Sequence, residues 1–112
     1  MTAIELRGMT WSDPRGHDPV VAAAAAFAGQ EPGVTIRWDK RSLQGFESTP
    51  VEELAATYDL MVIDHPHVGA AAGAGCLLAL DLHGDAMALT RLQAETVGKS
   101  YASYTLAGRQ WA

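Results

Sequence analysis

The order of apolar and polar positions predicts three strands and two helices in the first half of the chain. Residues 4–10, 34–38 and 60–63 have apolar patterns typical of β-strands, alternating in the second and continuous in the third. Residues 19–28 and 51–58 have the composition or apolar spacing of helices. Such alternation of strands and helices favours a parallel sheet with right-handed crossovers. We therefore predict an α/β fold, a three-layer sandwich with a short, mainly parallel sheet in the order 2-1-3.

Capping residues set the predicted helix boundaries. Asp18 can cap the first helix with Pro19 at its first position, and Gly29 marks the end of that helix. Residues 49–52 match a capping box with a proline at the first helical position of the second helix. Residues 39–48 are polar and contain glycine, which predicts an exposed loop. The third strand is apolar on both faces and is predicted to be central in the sheet.

The second half of the chain has a weaker pattern. Residues 68–75 are small enough to form a short helix, and residues 76–80 are either a short extended piece or a buried connection. A helical pattern returns at Asp85, whereas the residues after Gly98 have no clear pattern. We expect a single α/β domain over residues 1–112 that is truncated at its C-terminus. A missing strand would leave an open sheet edge, which predicts a homodimer through edge pairing or strand exchange.

Composition limits the class of protein and its partners. The 112 residues are 48% hydrophobic and 19% charged, as in an ordinary globular domain. The formal net charge of -5 argues against nucleic acid as a partner, because phosphate-backbone binding needs a concentrated basic surface. Cys76 is the only cysteine and lies among apolar residues, which favours a buried thiol over a reactive one. We find no signal-peptide pattern before the first strand and no apolar run of membrane-spanning length.

Two predicted strand ends carry most of the candidate chemistry. The third strand runs directly into Asp64, His65 and His67, and the first runs into the segment that contains Trp11 and Asp13. In an open α/β sheet, ligands bind outside the carboxyl ends of the strands, where the connections diverge to opposite faces. The two junctions are therefore predicted to share one pocket.

Several short motifs are distinctive in combination: Gly8-Met9-Thr10-Trp11 with Arg15-Gly16, Trp38, Arg41-Ser42-Leu43, Phe46-Glu47-Ser48, Tyr58-Asp59-Leu60 and Asp64-His65-Pro66-His67-Val68-Gly69. Together they resemble the N-terminal portion of an extracellular (periplasmic) solute-binding protein of a sugar-type ABC transporter. The resemblance implies a longer protein with two lobes that close over a ligand, so that this chain is part of one lobe of a periplasmic-binding-protein-like fold. It also implies an ABC transporter permease as partner, a periplasmic or extracellular location, no catalysis and no cofactor.

A carbohydrate is the solute that this resemblance and the strand-end residues favour. Sugars stack on aromatic rings while charged groups bond their hydroxyls, so Trp11 is expected to stack and Asp13 and Asp64 to accept hydrogen bonds. Trp38 is either a second stacking platform or a core residue, since tryptophan on an alternating strand often faces the core. The predicted ligand-binding residues are Trp11, Asp13, Arg15, His17, Trp38, Arg41, Asp64, His65 and His67.

The alternative prediction is a small metal-binding or hydrolytic α/β domain. It uses Asp64, His65, His67 and His17, whose nitrogen and oxygen atoms suit zinc and whose imidazoles suit acid–base chemistry. Their spacing matches no established metal motif, and the sequence shows no nucleophile elbow or phosphate-binding glycine loop. Binding of a small polar solute, without catalysis, is therefore the favoured prediction.

Overall fold

The structure is a computed structural model that describes residues 3–42 and 48–112. The chain divides into two compact units, Met1–Val62 and Ile63–Ala112, which are described here one after the other. No helix within the described ranges is both long enough and apolar enough to cross a membrane.

The first unit contains a three-stranded parallel sheet. Its strands are β1 (Ile4–Trp11), β2 (Val34–Arg41) and β3 (Leu60–Met61), and its helices are α1 (Pro14–Gln30) and α2 (Val51–Thr57). The strand order is β2-β1-β3 and both pairings are parallel, which confirms the predicted α/β class and the order 2-1-3. The predicted central position of the third strand is wrong, because β1 is the strand that lies between the other two.

Helices cover both faces of β1. Met9 and Thr10 are fully buried, and as neighbours in a strand they face opposite sides of the sheet. Met9 packs with Leu54 of α2, whereas the Thr10 hydroxyl donates a hydrogen bond of 2.9 Å to the Gly16 carbonyl in α1. The helix–sheet–helix arrangement is the predicted three-layer sandwich.

Gly8 allows a tryptophan ring to lie directly on the backbone of β1. Gly8 and Trp38 are register partners in adjacent parallel strands, so their side-chain positions share a face. A Cβ atom added to Gly8 would lie 2.5 to 2.7 Å from three atoms of the Trp38 ring. The ring therefore occupies space that any other residue at position 8 would fill.

The two helix starts differ from the sequence predictions. The first helix begins at Pro14 rather than Pro19, because Asp13 caps it by accepting a hydrogen bond of 2.9 Å from the Arg15 amide. Pro19 lies inside α1. The predicted capping box before the second helix is also wrong: Pro50 is the cap residue, and the Thr49 hydroxyl accepts a hydrogen bond from Arg41.

The predicted loop over residues 39–48 is wrong in its first part, where Asp39, Lys40 and Arg41 continue β2. The ladder to β1 extends through the Trp11–Arg41 pair, which satisfies the backbone groups of these polar residues. Residues 43–47 of the predicted loop lie outside the described residues.

The second unit consists of short helices and a hairpin. Its elements are a 3₁₀ turn (His65–His67), α3 (Val68–Gly73), α4 (Leu80–His83), α5 (Ala86–Glu95), a 3₁₀ turn (Ala102–Tyr104), β4 (Thr105–Leu106) and β5 (Arg109–Gln110). The short helix predicted after His67 is confirmed as α3. The helical pattern from Asp85 is confirmed as α5, which Asp85 caps by accepting hydrogen bonds from the Met87 and Ala88 amides.

The hairpin is held to α4 by one carboxylate. Asp81 accepts hydrogen bonds from the Arg109 guanidinium at 2.8 Å and from the Gln110 amide at 2.9 Å. These bonds, that from Arg109 above all, hold the pKa of Asp81 below its ordinary value. The turn itself has positive φ at Ala107 (52°) and Gly108 (77°), as a hairpin turn of type I′ requires.

Asparagine at position 107 is expected to stabilise this hairpin. Asparagine adopts the left-handed region at lower cost than alanine, so Ala107→Asn should slow hydrogen exchange of the Gln110 amide by about threefold. Ala102→Asn is the matched control, because Ala102 lies in a 3₁₀ turn of negative φ and should give no slowing. Unchanged exchange in Ala107→Asn would contradict the strain assigned to the turn.

Candidate functional site

The carboxyl ends of β1 and β2 form the candidate site of the first unit. Trp11 and Arg41 are register partners at the last positions of the two strands. The Ser12 amide donates a hydrogen bond of 2.8 Å to the Arg41 carbonyl, so the backbone remains paired one residue beyond β1. The chain then enters α1 immediately at Pro14, which places Asp13 and Arg15 beside these strand ends.

Asp13, Arg15 and Trp11 form a compact cluster. The Asp13 carboxylate accepts hydrogen bonds from the Arg15 amide at 2.9 Å and from the Arg15 Nε at 3.3 Å. The Arg15 guanidinium carbon lies 5.4 Å from the centre of the Trp11 ring, within the range of a cation–π contact. The Arg15 side chain is nevertheless 82% exposed, so its guanidinium can also bond a solute.

The charge of Asp13 is stabilised by its neighbour. The backbone hydrogen bond from Arg15 is the main cause that lowers the pKa of Asp13, and the Arg15 side chain adds to it against partial desolvation. Asp13 is therefore ionised at neutral pH and acts only as a hydrogen-bond acceptor.

Gly16 allows the first turn of α1 to approach Trp11 closely. A Cβ atom at Gly16 would lie 3.2 Å from both the Cβ and the carbonyl oxygen of Trp11. The Trp11 ring also packs against the core formed by Met9 and Leu54. Trp11 is thus fixed by α1 on one side and by the core on the other.

Arg41 carries hydrogen-bond donors that the fold does not use. Its Nη2 donates a hydrogen bond of 2.9 Å to the Thr49 hydroxyl. Its Nε is buried and has no hydrogen-bond partner within the described part of the chain. This uncompensated donor lies on the strand position next to Trp11.

A second polar network lies on the same face of the sheet, nearer the middle of the strands. Asp39 accepts hydrogen bonds of 3.0 Å from both the Arg7 guanidinium and the Tyr58 hydroxyl, and Arg7 lies over the Tyr58 ring at 5.2 Å. The bond from Arg7, followed by that from Tyr58, lowers the pKa of Asp39. Because each group has a partner within the network, we assign it a structural role.

Trp38 and His17 are the other two predicted ligand-binding residues of the first unit. Trp38 lies over Gly8 and shares its face of the sheet with α1, opposite to the face on which Trp11 packs. His17 lies in α1, where its Nδ1 is 3.5 Å from Asp18. The structure therefore brings Trp11, Asp13, Arg15 and Arg41 together, whereas ligand binding by Trp38 and His17 stays a prediction.

Asp64, His65 and His67 belong to the second unit. Asp64 and His65 are exposed and His67 is half-buried. The His65 ring meets the edge of Tyr104 at 6.3 Å, and the Tyr104 hydroxyl donates a hydrogen bond of 3.2 Å to the Ile63 carbonyl. The convergence of these three residues with Trp11 and Asp13 stays a prediction.

The structure gives no support to the metal alternative. Among residues 3–42 and 48–112, no group of three or more histidine, cysteine, aspartate or glutamate side chains is arranged to hold a metal ion.

An open groove of about 400 Å³ lies between α1 and β2, but it is lined mainly by Ala24, Ala25, Ile36 and similar apolar side chains. Such a lining offers few hydrogen bonds to a polar solute, so we place the candidate site at the strand ends instead.

Sequence reasoning missed one residue at the site, Thr49, and two residues of the neighbouring polar network, Asp39 and Tyr58. Thr49 accepts a hydrogen bond from Arg41. Asp39 accepts one hydrogen bond from Arg7 and another from Tyr58. The sequence predicts Thr49 as part of a capping box, and Tyr58, the last residue of the predicted second helix, packs against the core formed by Met9 and Leu54. Only the register of β1 on β2 could have revealed these polar partners.

Comparison with known proteins supports the fold but not a family. No family model and no curated protein matches the sequence. A solved structure, that of M. tuberculosis UspC, superimposes with a TM-score of 0.66 at 16% sequence identity, over 96% of this chain and 25% of the UspC chain. The chain thus spans about a quarter of the length of that protein.

These findings correct the family resemblance. The motifs named above resemble a sugar-type ABC transporter receptor, but that assignment is wrong, because the structural match is only 16% identical in sequence and this chain covers only 25% of the matched protein. At 16% identity the likeness to UspC is one of fold alone. The three-stranded sheet in the order 2-1-3, flanked by helices, is consistent with part of a periplasmic-binding-protein-like fold.

Proposed function

We propose that this chain binds a small polar solute at the carboxyl ends of β1 and β2. The observation that carries the proposal is the grouping of Trp11, Asp13, Arg15 and Arg41 at this edge of a parallel sheet. Open α/β sheets bind ligands at this edge, and the fold shared with UspC is compatible with such a role. The proposal includes no catalytic step.

A carbohydrate is the solute class that we propose. A sugar ring has an apolar face that can stack on Trp11 and hydroxyl groups that can donate to the Asp13 carboxylate. Arg15 and Arg41 would donate hydrogen bonds to its oxygens. We further propose a transporter permease as the partner that takes up the solute; ligand binding by Asp64, His65 and His67, in the second unit, stays a prediction.

The chain forms only one wall of such a site in this proposal. In a two-lobed receptor, half of the contacts and the exclusion of water come from the opposite lobe, which closes on the ligand. We therefore expect the 112-residue chain to bind saccharides in the millimolar range, so the assay must detect weak binding.

Replacing Trp11 should reveal whether saccharides bind at this edge. We expect monosaccharides titrated into ¹⁵N-labelled protein to shift the Trp11 indole and Arg15 Nε resonances. Trp11→Leu keeps an apolar side chain against the core but loses the ring, so it should weaken binding by about tenfold. Trp111→Leu is the control, because Trp111 lies in the second unit, where its indole bonds the Leu106 carbonyl.

Two outcomes would contradict the proposed function. One is the absence of any saccharide-dependent shift at Trp11 and Arg15, and the other is equal loss of binding in Trp11→Leu and Trp111→Leu. Stabilisation of the protein by zinc but by no saccharide would instead favour the metal alternative.

A further inference from the structure

We infer that the solute carries an anionic group, a carboxylate or a phosphate, and that Arg41 binds it. The inference rests on the proposed function, because it concerns the same edge of the sheet. Its basis is a guanidinium group that has an uncompensated donor and lies directly beside the proposed stacking ring.

Arg41 is the arginine of the first unit that has no carboxylate partner among its described contacts. The other three each lie near an acid: Arg7 near Asp39 at 3.0 Å, Arg15 near Asp13 at 3.3 Å and Arg37 near Glu5 at 3.9 Å. The contact of Arg41 is instead with a neutral hydroxyl, that of Thr49. The positive charge of Arg41 is therefore left without a counter-charge from the described residues.

The buried Nε of Arg41 strengthens this argument. A donor that is removed from water without a partner is costly, and the cost is larger when the donor belongs to a charged group. Such a donor in a folded protein calls for an explanation, and a bound group is one of the few available. The guanidinium fork is suited to two parallel hydrogen bonds to a carboxylate or a phosphate.

Arg7 does not carry the same inference, although its Nε is also buried without a partner. Its guanidinium already bonds Asp39 and lies over Tyr58, so its charge is compensated within the fold. Arg7 also lies four positions before the end of β1, whereas Arg41 is the last residue of β2. Ligands bind at strand ends, so Arg41 is the better placed of the two arginines.

The position of Arg41 defines where the anionic group would lie on the solute. Trp11 and Arg41 are partners on adjacent parallel strands, so their side chains share a face of the sheet. A sugar ring stacked on Trp11 would reach Arg41 with a substituent at its edge. Sugar acids and sugar phosphates both have this form.

The inference is tested by comparing three related sugars. Glucose, glucuronate and glucose 6-phosphate are titrated separately into the ¹⁵N-labelled chain at constant ionic strength, with the Trp11 indole and Arg41 Nε resonances as readouts. We expect at least one of the two anionic sugars to bind about tenfold more tightly than glucose and to shift the Arg41 Nε resonance, as a charge-assisted pair would. Which of the two binds more tightly distinguishes a carboxylate from a phosphate.

Two substitutions assign the preference to Arg41. Arg41→Gln should abolish the tenfold preference, because it weakens binding of the anionic sugar about tenfold more than binding of glucose, and Arg41→Lys should retain only part of the preference because an ammonium lacks the planar fork. Arg37→Gln removes one positive charge from an exposed position of the same strand and should leave the preference intact. Circular dichroism of each variant checks that it is folded.

The outcomes separate this inference from the proposed function. Equal affinity for glucose and both anionic sugars would overturn the inference and leave solute binding in place. An anion preference that survives in both Arg41 variants, or is lost equally in Arg37→Gln, would also overturn it. If none of the three sugars shifts the Trp11 and Arg15 resonances, both proposals fail.

Discussion

Alanine at position 8 is expected to lower the free energy of unfolding by about 3 kcal/mol, at the upper end of what overpacking of a core costs. The added Cβ would lie 2.5 Å from a ring atom of Trp38, well inside van der Waals contact. Because three ring atoms of Trp38 lie 2.5 to 2.7 Å from that position, the ring would have to shift as a whole. Urea unfolding followed by circular dichroism measures the loss.

Two comparisons make this result specific. Gly29→Ala adds the same methyl group to α1 at a position with no atom within 4 Å, so it should raise the free energy of unfolding by up to about 1 kcal/mol. In a Trp38→Leu background, Gly8→Ala should cost less than about 1 kcal/mol, because the clashing ring is gone. An equal cost in both backgrounds would show that the clash with Trp38 is not the cause.

Met9→Ala is expected to be similarly damaging, with a loss of about 3 kcal/mol in the free energy of unfolding. Met9 is 0% exposed and lies in the middle strand, where it packs with Leu54. Trp11 and Tyr58 pack against the same pair, so the cavity would also loosen the residue that we propose stacks on the solute. Urea unfolding gives the energy, and the Trp11 indole resonance reports the local change.

Met87→Ala is the matched control for this substitution. Met87 lies in α5 of the second unit and is 81% exposed, so the same change of residue should alter the free energy of unfolding by no more than about 0.5 kcal/mol. Similar losses in the two variants would contradict the assignment of Met9 to the core of the sheet.

The strands and their order could be predicted because each strand has its own apolar pattern. Right-handed parallel crossovers are compatible with the predicted order 2-1-3, in which the two helices cover opposite faces of the sheet, and the structure confirms that order. The end of β2 could not be predicted in this way. Asp39 and Arg41 look like loop residues, and they belong to the strand because their backbone pairs with β1 and because Asp39 bonds Arg7 and Arg41 bonds Thr49.

Tertiary contacts decide where α1 begins, because the sequence offers two helix caps of the same kind. Asp13-Pro14 and Asp18-Pro19 offer the same cap chemistry, and the alanine-rich sequence that follows Pro19 favoured the second. In the structure, Ser12 is paired with the Arg41 carbonyl at the end of the sheet, so the chain turns at Asp13. That pairing joins residues far apart in sequence, which local patterns do not reveal.

The site could be predicted only in part for the same reason. Trp11, Asp13 and Arg15 were identified because polar residues that follow a buried strand lie at the edge where ligands bind. The importance of Arg41 depends on its register opposite Trp11, and on a buried Nε that only atomic positions reveal. Trp38 has the same residue type as Trp11, but the alternation of β2 directs it to the other face.

In the unliganded chain, the Arg15 guanidinium lies over the Trp11 ring and competes with any solute that stacks on the same face of the ring. A sugar that stacks on the same face of the ring must first displace the guanidinium, which lowers the affinity for a neutral solute by the energy of the cation–π contact. The penalty is the same for a neutral and for an anionic sugar, because both must clear the same face of the ring. Arg15 would thus lower the affinity for every stacked solute, whereas the preference for an anionic one depends on Arg41.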